Sequence, residues 1–350
     1  MSLYELKQSG EAPVWMTEAG YKTIKNSDGY LLPDETPKQA YMRIASAAAI
    51  ALGGDVEKDT EEFFQAIWNN WLCPATPVFS NMGTNRGFPI SCFGQDIEDD
   101  LSDIKLGLHE QGMMTKGGGG VGTSLTRIRG RGKLIKGGLN GKSEGIIPWA
   151  KEYEVGIIST GQGGSRKGAG SINLHVRHTD FPEFLRMRRP NGDVNRVCRQ
   201  INHCAVISDE FMNSVVNGNR EDQMTWIEIM KTRLETGEPY IMYEDTVNRA
   251  NPSNFKNLGL KVSMTNICTE ITLPTDNKHS FVCCLSSLNF YRFEEWKDKG
   301  IVRLATRFLN GVLNEFIRSA KGSKGLEKAV RFAEKSRAIG IGGLGWHSLL

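Results

Sequence analysis

The most informative residues of this chain read Met264-Thr265-Asn266-Ile267-Cys268-Thr269-Glu270-Ile271. In an extended segment, side chains two residues apart point to the same side. Asn266, Cys268 and Glu270 would then present an amide, a thiol and a carboxylate together. A thiol beside a hydrogen-bonding amide and a proton acceptor can form a reaction centre, whereas a lone cysteine also packs as a small buried hydrophobe. Spacing alone leaves both interpretations open.

Further cysteines lie far from this segment in the sequence. Cys92 precedes it, and Cys283 and Cys284 follow it. Pairing between cysteines cannot be deduced from sequence. If two of these thiols meet beside Cys268, they could supply two electrons by closing a disulfide. The chain has seven cysteines and no apolar leader at its start, which favours a reducing, cytoplasmic location over a secreted disulfide framework.

Composition excludes several classes of function. The formal net charge is +3, from 43 basic and 40 acidic residues, which is too balanced to predict a nucleic-acid or membrane-surface partner. No apolar run approaches the roughly 20 residues of a membrane span. Cys198, His203 and Cys204 lack the paired Cys-x-x-Cys spacing of a zinc site, so no metal is expected in this chain.

The order of predicted elements indicates an α/β fold behind a helical start. Pro37 to Leu52 reads as a helix closed by glycine, and Glu61 to Leu72 carries aromatics at helical spacing. From Pro74 onward, β-prone stretches alternate with glycine-rich loops and helices, a pattern typical of parallel strand pairing. The candidate strands are Ser171–His175, Cys204–Ser208 and Phe281–Leu285, and the candidate helices are Asp222–Thr236 and Val302–Ser319.

Two glycine-rich stretches could approach a ligand closely, at Lys116–Gly122 and at Gly161–Gly170. Glycine permits such an approach of the backbone. Neither stretch ends in the Gly-Lys-Ser/Thr of a P-loop. Taken alone, each is a weak signal, and a flexible turn is the more frequent explanation of such a stretch.

Short motifs in a fixed order give the chain a specific resemblance. From about Tyr30 to the last residue it resembles the large, catalytic subunit of class I ribonucleotide reductases. That resemblance implies a helical domain over residues 1–90, without an ATP-binding cone, followed over residues 91–350 by about the first half of a ten-stranded α/β barrel. The motifs are Ala75-Thr76-Pro77, Ser91-Cys92, Asn-x-Cys-x-Glu at 266–270 and Cys-x-Leu-Ser at 283–286.

The resemblance also implies chemical roles for the reactive residues. Cys268 resembles the transient thiyl radical that removes the 3′ hydrogen of the substrate ribose. Glu270 resembles the base for the 3′ hydroxyl, and Asn266 the amide that hydrogen-bonds the ribose hydroxyls. Cys92 and Cys283 resemble the dithiol that helps the 2′ hydroxyl to leave as water and ends as a disulfide.

Binding residues follow from the same resemblance. Thr76 and Ser91 correspond to positions near the substrate diphosphate and ribose, and Gly117 begins a stretch that lines the substrate side. The neighbour of Cys283, Cys284, could take its place in the dithiol, but the Cys-x-Leu-Ser register favours Cys283. The residues that resemble a site for a deoxynucleotide effector are Asp99, Arg127, Gln162 and Arg166.

The implied function is reduction of ribonucleoside diphosphates, with a dNTP or ATP effector and Mg. The implied partners are a radical-generating small subunit that contains a metal, a thioredoxin or glutaredoxin as reductant, and a second large subunit in a homodimer. Because Ile339 to Leu350 ends on apolar residues, we expect a C-terminal half to cover it. A split gene, as in some viral (phage) members, and a truncated chain would both explain this. In a viral case the location would be the host cytoplasm.

Alternative classes of function stay open at this point. A class II reductase, which uses adenosylcobalamin, shares the cysteine set. A non-catalytic nucleotide-binding fragment would bind effector without turnover. A glycyl-radical enzyme fits the Asn-x-Cys-x-Glu and dithiol set poorly.

Overall fold

The computed structural model describes residues 1–26, 30–161, 167–189, 191 and 193–350. In these ranges an N-terminal helical domain is followed by a curled half-barrel sheet. No helix among the described residues is long and apolar enough to cross a membrane. The N-terminal elements are α1 (Leu3–Gln8), α2 (Glu18–Asn26), α3 (Pro37–Leu52), α4 (Val56–Trp68), β1 (Leu72–Pro74) and α5 (Thr76–Asn81).

Local capping sets the bounds of α3. The Thr36 side chain accepts from the Gln39 amide, and the Gln39 side chain accepts in return from the Thr36 amide. This reciprocal pair satisfies backbone donors that the first turn leaves free. Gly53, at φ 76°, ends the helix in the left-handed region that glycine adopts without strain. The prediction for this helix is confirmed.

The prediction for the next helix, Glu61 to Leu72, is wrong at both ends. Helix α4 begins at Val56, because the Asp55 side chain accepts from the Lys58 amide as an N-cap. It ends at Trp68, and Asn70 then takes a left-handed φ of 58°. Leu72 belongs to β1, whose pairing partner lies more than 200 residues later in the chain.

The sheet is built from strands that alternate with helices, as predicted. Strands β2 to β6 pair in parallel in chain order. The elements are β2 (Cys92–Asp96), α6 (Leu101–Lys116), β3 (Gly120–Ser124), α7 (Ile147–Thr160), β4 (Gly170–His175), α8 (Phe181–Arg186), β5 (Asn202–Ile207), α9 (Asp209–Val216), α10 (Arg220–Thr236), β6 (Tyr240–Tyr243), α11 (Glu244–Ala250), α12 (Ser253–Asn257), β7 (Phe281–Asn289), α13 (Phe293–Trp296), α14 (Ile301–Ala320), α15 (Glu327–Ser336), β8 (Ile339–Leu344) and α16 (Trp346–Leu349).

Strand β7 joins the parts of the sheet. Its first residues pair antiparallel with β2, and its later residues pair antiparallel with β1 and parallel with β8. It therefore extends to Asn289, beyond the predicted end at Leu285. Trp346, just after β8, is 57% exposed. The expectation that further chain covers this end stays a prediction.

A continuous hydrophobic core ties the helical domain to the centre of the sheet. It includes residues of α3 and α14 together with Cys92 and Cys283. Helices α3 and α14 meet so closely that a side-chain carbon at Gly311 would lie 2.3 Å from the Ala48 carbonyl oxygen. The strands that carry the two cysteines are thus backed by tightly packed helices, which limits their movement.

Candidate active site

The pairing of β2 with β7 brings two of the predicted reactive thiols together. Cys92 lies directly opposite Cys283 in the antiparallel register. Opposed residues in such a pair have Cα atoms about 4.5–5.5 Å apart, which lies within the range that a disulfide requires. Cys284, one residue along, points to the other face. It is fully buried there, and its thiol donates to the Leu309 carbonyl of α14 at 3.6 Å.

The segment 264–271, called the reactive turn below, is not extended, so the predicted alternation of side chains is wrong. The Thr269 amide donates to the Asn266 carbonyl at 3.2 Å, and Thr269 has a φ of 67°. The chain therefore folds back after Cys268. Asn266 is completely buried, whereas Cys268 and Glu270 are exposed. These three side chains nevertheless serve one site, because the fold-back brings Glu270 to Asn266.

Asn266 is the centre of the contacts in this site. Its Nδ2 donates to Glu270 Oε2 at 2.8 Å and to Cys92 Sγ at 3.3 Å. Its Oδ1 accepts from the Ile271 amide at 3.0 Å. A side-chain hydrogen bond also links Cys92 with Cys268. The structure thus brings together the five residues predicted to be catalytic, through Asn266 on one side and the strand register on the other.

Both strand thiols are held in their protonated form. The hydrogen bond with Cys268, followed by burial, raises the pKa of Cys92 far above its usual range. Burial raises the pKa of Cys283 to about 12, with a further contribution from the Glu270 carboxylate. A buried thiolate would be poorly solvated. At neutral pH the pair can therefore deliver hydrogen as well as electrons.

The residues predicted to bind substrate have separate partners. Thr76 begins α5, and its hydroxyl lies 3.0 Å from the Tyr30 hydroxyl. Ser91 is buried directly before Cys92, and its carbonyl accepts from the Gly120 amide at 2.9 Å. Gly117 caps α6, where a side-chain carbon would lie 2.2 Å from the Phe88 ring. The Tyr30 contact was missed in the sequence, because a single tyrosine carries no spacing signal.

Two of the four predicted effector residues, Asp99 and Arg127, follow the ends of β2 and β3. Arg127 forms an ion pair with Asp96 at 3.0 Å and another with Glu98. Asp99 accepts from Arg129 Nε at 2.7 Å. Gln162 and Arg166 lie outside the described residues.

Asp99 also lines an open cleft of about 580 Å³, which Arg127 does not line. Cationic and imidazole side chains that sequence reasoning did not assign line the same cleft. They are Arg129, Lys133, His175, Arg177 and His178. A cleft with this lining suits an anionic ligand.

Comparison with known proteins identifies the class to which this fold and site belong. The family model described as "Ribonucleotide reductase, barrel domain" matches residues 90–225 and 221–350. The model described as "Ribonucleotide reductase, all-alpha domain" matches residues 16–87. The chain therefore belongs to the family of ribonucleotide reductase large subunits.

Particular relatives place the chain within that family. It is 30% identical over 380 residues to the ribonucleoside-diphosphate reductase subunit alpha of Synechocystis, covering 95% of this chain and 48% of the relative. It is 29% identical over 395 residues to the large subunit of Invertebrate iridescent virus 3, covering 92% and 60%. The chain thus spans about half to three-fifths of the length of these relatives.

A solved structure supports the fold directly. The class Id ribonucleotide reductase alpha subunit of Actinobacillus ureae superposes with a TM-score of 0.88 at 33% sequence identity. The match covers 96% of this chain and 61% of that one. The predicted architecture, a helical domain followed by half of a barrel, is confirmed.

Proposed function

We propose that this chain carries the reaction centre of a class I ribonucleoside-diphosphate reductase. The observation that carries this proposal is the register of β2 against β7. It sets Cys92 opposite Cys283, while Asn266 contacts Cys92 and Glu270. A redox dithiol, an exposed third thiol and a carboxylate in one site match the needs of a radical reduction.

The first step falls to the exposed thiol. As a thiyl radical, Cys268 takes the hydrogen atom from C3′ of the ribose, so a C–H bond breaks and an S–H bond forms. Glu270 accepts the proton of the 3′ hydroxyl, and Asn266 holds the ribose hydroxyls by hydrogen bonds. Exposure of Cys268 and Glu270 leaves both side chains open to a substrate.

The dithiol completes the reduction. The 2′ hydroxyl leaves as water, with a proton from the Cys92–Cys283 pair. The two thiols together give two electrons and two protons as their S–S bond forms. The second hydrogen of the dithiol is delivered to C2′. Glu270 returns its proton to the 3′ oxygen, and Cys268 returns its hydrogen atom to C3′ and is again a thiyl radical. The sum is one ribonucleotide and one dithiol converted to one deoxyribonucleotide, one disulfide and one water.

In this proposal, other polypeptides supply the radical, the external reductant and the rest of the barrel. We propose that a small subunit with a metal centre generates the radical, and that thioredoxin or glutaredoxin reduces the disulfide. A C-terminal half would complete the barrel, and the large subunit would act as a homodimer. Similarity to a class Id alpha subunit supports class I over the adenosylcobalamin alternative.

Effector binding is the second part of the proposal. A dNTP or ATP with Mg would bind near Asp99 and Arg127. Support comes from the cleft beside Asp99, whose arginine, lysine and histidine lining suits phosphates.

Nucleoside diphosphate reduction tests the proposal. The chain is assayed alone, then with a matching C-terminal half and small subunit, beside Cys268→Ser and a Cys73→Ser control. We expect turnover only in the full mixture, lost in Cys268→Ser and kept in Cys73→Ser. An intact assembly without turnover would refute the class I proposal. Turnover restored by adenosylcobalamin would then favour class II, and effector binding alone would favour a non-catalytic fragment.

A further inference from the structure

A buried asparagine outside the reactive turn pairs with the backbone inside it. Asn173 lies in β4 and is completely buried. Its Nδ2 donates to the Thr265 carbonyl at 3.1 Å, and its Oδ1 accepts from the Thr265 amide at 3.3 Å. A carboxamide that engages both polar groups of one residue replaces the contacts that a neighbouring strand would make.

The same arrangement recurs three residues earlier. Asn248 of α11 donates from Nδ2 to the Val262 carbonyl at 2.8 Å and accepts at Oδ1 from the Val262 amide at 2.9 Å. Asn251 donates to Asn248 Oδ1 at 3.0 Å, which fixes the orientation of that amide. Two asparagines from different elements thus hold a segment that pairs with no strand among the described residues.

Close backbone approach adds a second restraint. A side-chain carbon at Gly122 of β3 would lie 2.4 Å from the Thr265 carbonyl oxygen and 3.1 Å from Asn266 Cα. The segment therefore rests directly on β3, with no side chain between. Gly122 allows the segment around Thr265 to lie close to the sheet, and the Asn173 amide fixes the position of that segment along the sheet.

The position held by Asn173 bears directly on the reactive residues. Thr265 immediately precedes Asn266, whose amide reaches both Cys92 and Glu270. We propose that Asn173 is a positioning residue for the reactive turn, and that Asn248 holds the backbone that leads into it. This inference rests on the proposed function for its catalytic meaning. The geometry itself can be tested without substrate.

Thiol labelling of the full chain tests the inference. Cys92 is shielded by Asn266 and is 3% exposed, whereas Cys198, in another part of the core, is completely buried and serves as reference. In Asn173→Ala we expect alkylation of Cys92 relative to Cys198 to rise about tenfold or more, the change expected when two buried hydrogen bonds are lost. Peptide mapping by mass spectrometry gives both rates.

Matched variants separate positioning from general destabilisation. Asn248→Ala should raise Cys92 labelling by a smaller factor, because it loosens only the approach to the turn. Asn314→Ala also removes two side-chain hydrogen bonds, one to the Ala51 carbonyl and one from Arg337, but far from the reactive turn. It should leave the ratio unchanged. An unchanged ratio in folded Asn173→Ala would overturn the inference, as would an equal rise at Cys198.

A conservative replacement keeps the test decisive if the alanine variant does not fold. In Asn173→Asp the buried carboxyl holds a proton at mildly acidic pH and can both donate and accept. Protection of Cys92 relative to Cys198 should be retained there and lost as the pH rises, whereas the ratio of the unmodified chain should stay flat. Identical pH profiles would contradict the proposal.

The labelling result does not depend on reductase activity. If the assembled enzyme lacks turnover but Asn173→Ala exposes Cys92, the positioning inference stands and the proposed function fails. If turnover is found and labelling of folded Asn173→Ala is unchanged, the positioning inference alone fails.

Discussion

The strand pair β2–β7 and the reactive turn contribute thiols to one site by different means. Cys92 and Cys283 are opposed by a register that backbone hydrogen bonds fix. Cys268 lies on a turn that belongs to no strand in the described part of the chain, and there the Asn173 amide replaces the ladder of backbone hydrogen bonds. A register cannot shift by one residue without turning every side chain over. A turn held by side chains can change its conformation, but its position then depends on each side-chain hydrogen bond.

The largest expected effect is the difference between Cys283 and Cys284 of β7 in forming a disulfide with Cys92. Mild oxidation of the chain should link Cys92 to Cys283 and leave Cys284 free, because Cys284 faces α14. Cys283→Ser should abolish this disulfide and any turnover of the assembled enzyme, whereas Cys284→Ala should retain both. Non-reducing peptide mapping decides, and a Cys92–Cys284 linkage would contradict the register.

Gly122→Ala tests how closely the reactive turn lies on the sheet. Its side-chain carbon would meet the Thr265 carbonyl oxygen at 2.4 Å, and such overpacking destabilises by about 1–3 kcal/mol. Gly112→Ala is the control, since Gly112 lies within α6 and a side-chain carbon there would meet Thr160 at an ordinary contact distance of 3.5 Å. Gly112→Ala should stabilise the chain by roughly 0.5–1 kcal/mol. Urea unfolding measures the free energy of unfolding of both variants, and equal changes would mean that the turn is not in close contact with β3.

Glu110 on α6 offers a reference outside both regions. Burial raises its pKa from 4.5 to about 7, although Lys328 lies 3.7 Å away. Between these two pKa values the folded chain binds more protons than the unfolded chain. The contribution of protonated Glu110 to the free energy of unfolding is therefore lost as the pH rises through about 7. Glu110→Gln should remove about 1–3 kcal/mol of this pH dependence.

Urea unfolding across the same pH range measures the effect. Glu152→Gln is the control, because Glu152 is 44% exposed in its pair with Lys105, and its profile should match that of the unmodified chain. Identical pH profiles for Glu110→Gln and the unmodified chain would show that the pKa of Glu110 is not raised.

Thr265→Val should give the smallest effect and act on the turn alone. The Thr265 hydroxyl donates to the Ile271 carbonyl at 2.9 Å and closes the reactive turn. Its loss should cost about 0.5–1.5 kcal/mol and raise Cys92 labelling slightly, while the Cys92–Cys283 disulfide forms as before. Thr225→Val on α10 is the control, because it removes a hydroxyl that donates to the Glu221 carbonyl one helical turn earlier, away from the reactive turn. A loss of disulfide in Thr265→Val would show that the two regions are not independent.

Local chemistry made much of the fold predictable. Helix α3 follows from Thr36, Pro37 and Gly53, which act within a few residues. The full length of β7 was not predictable, because its pairing with β1 and β8 links residues far apart in the chain. The predicted end of α4 was wrong for the same reason, since Leu72 joins β1 instead of continuing the helix.

The sequence by itself determined which residue types stand at the candidate site, because thiol, amide and carboxylate chemistry belongs to the side chains and their order is visible. Only the tertiary structure decided how they meet. The turn at Thr269, instead of strand alternation, brings Glu270 to Asn266. Register selected Cys283 over Cys284. The supporting Asn173 could not be found beforehand, since a single asparagine has no pattern and acts only on backbone that folding brings to it.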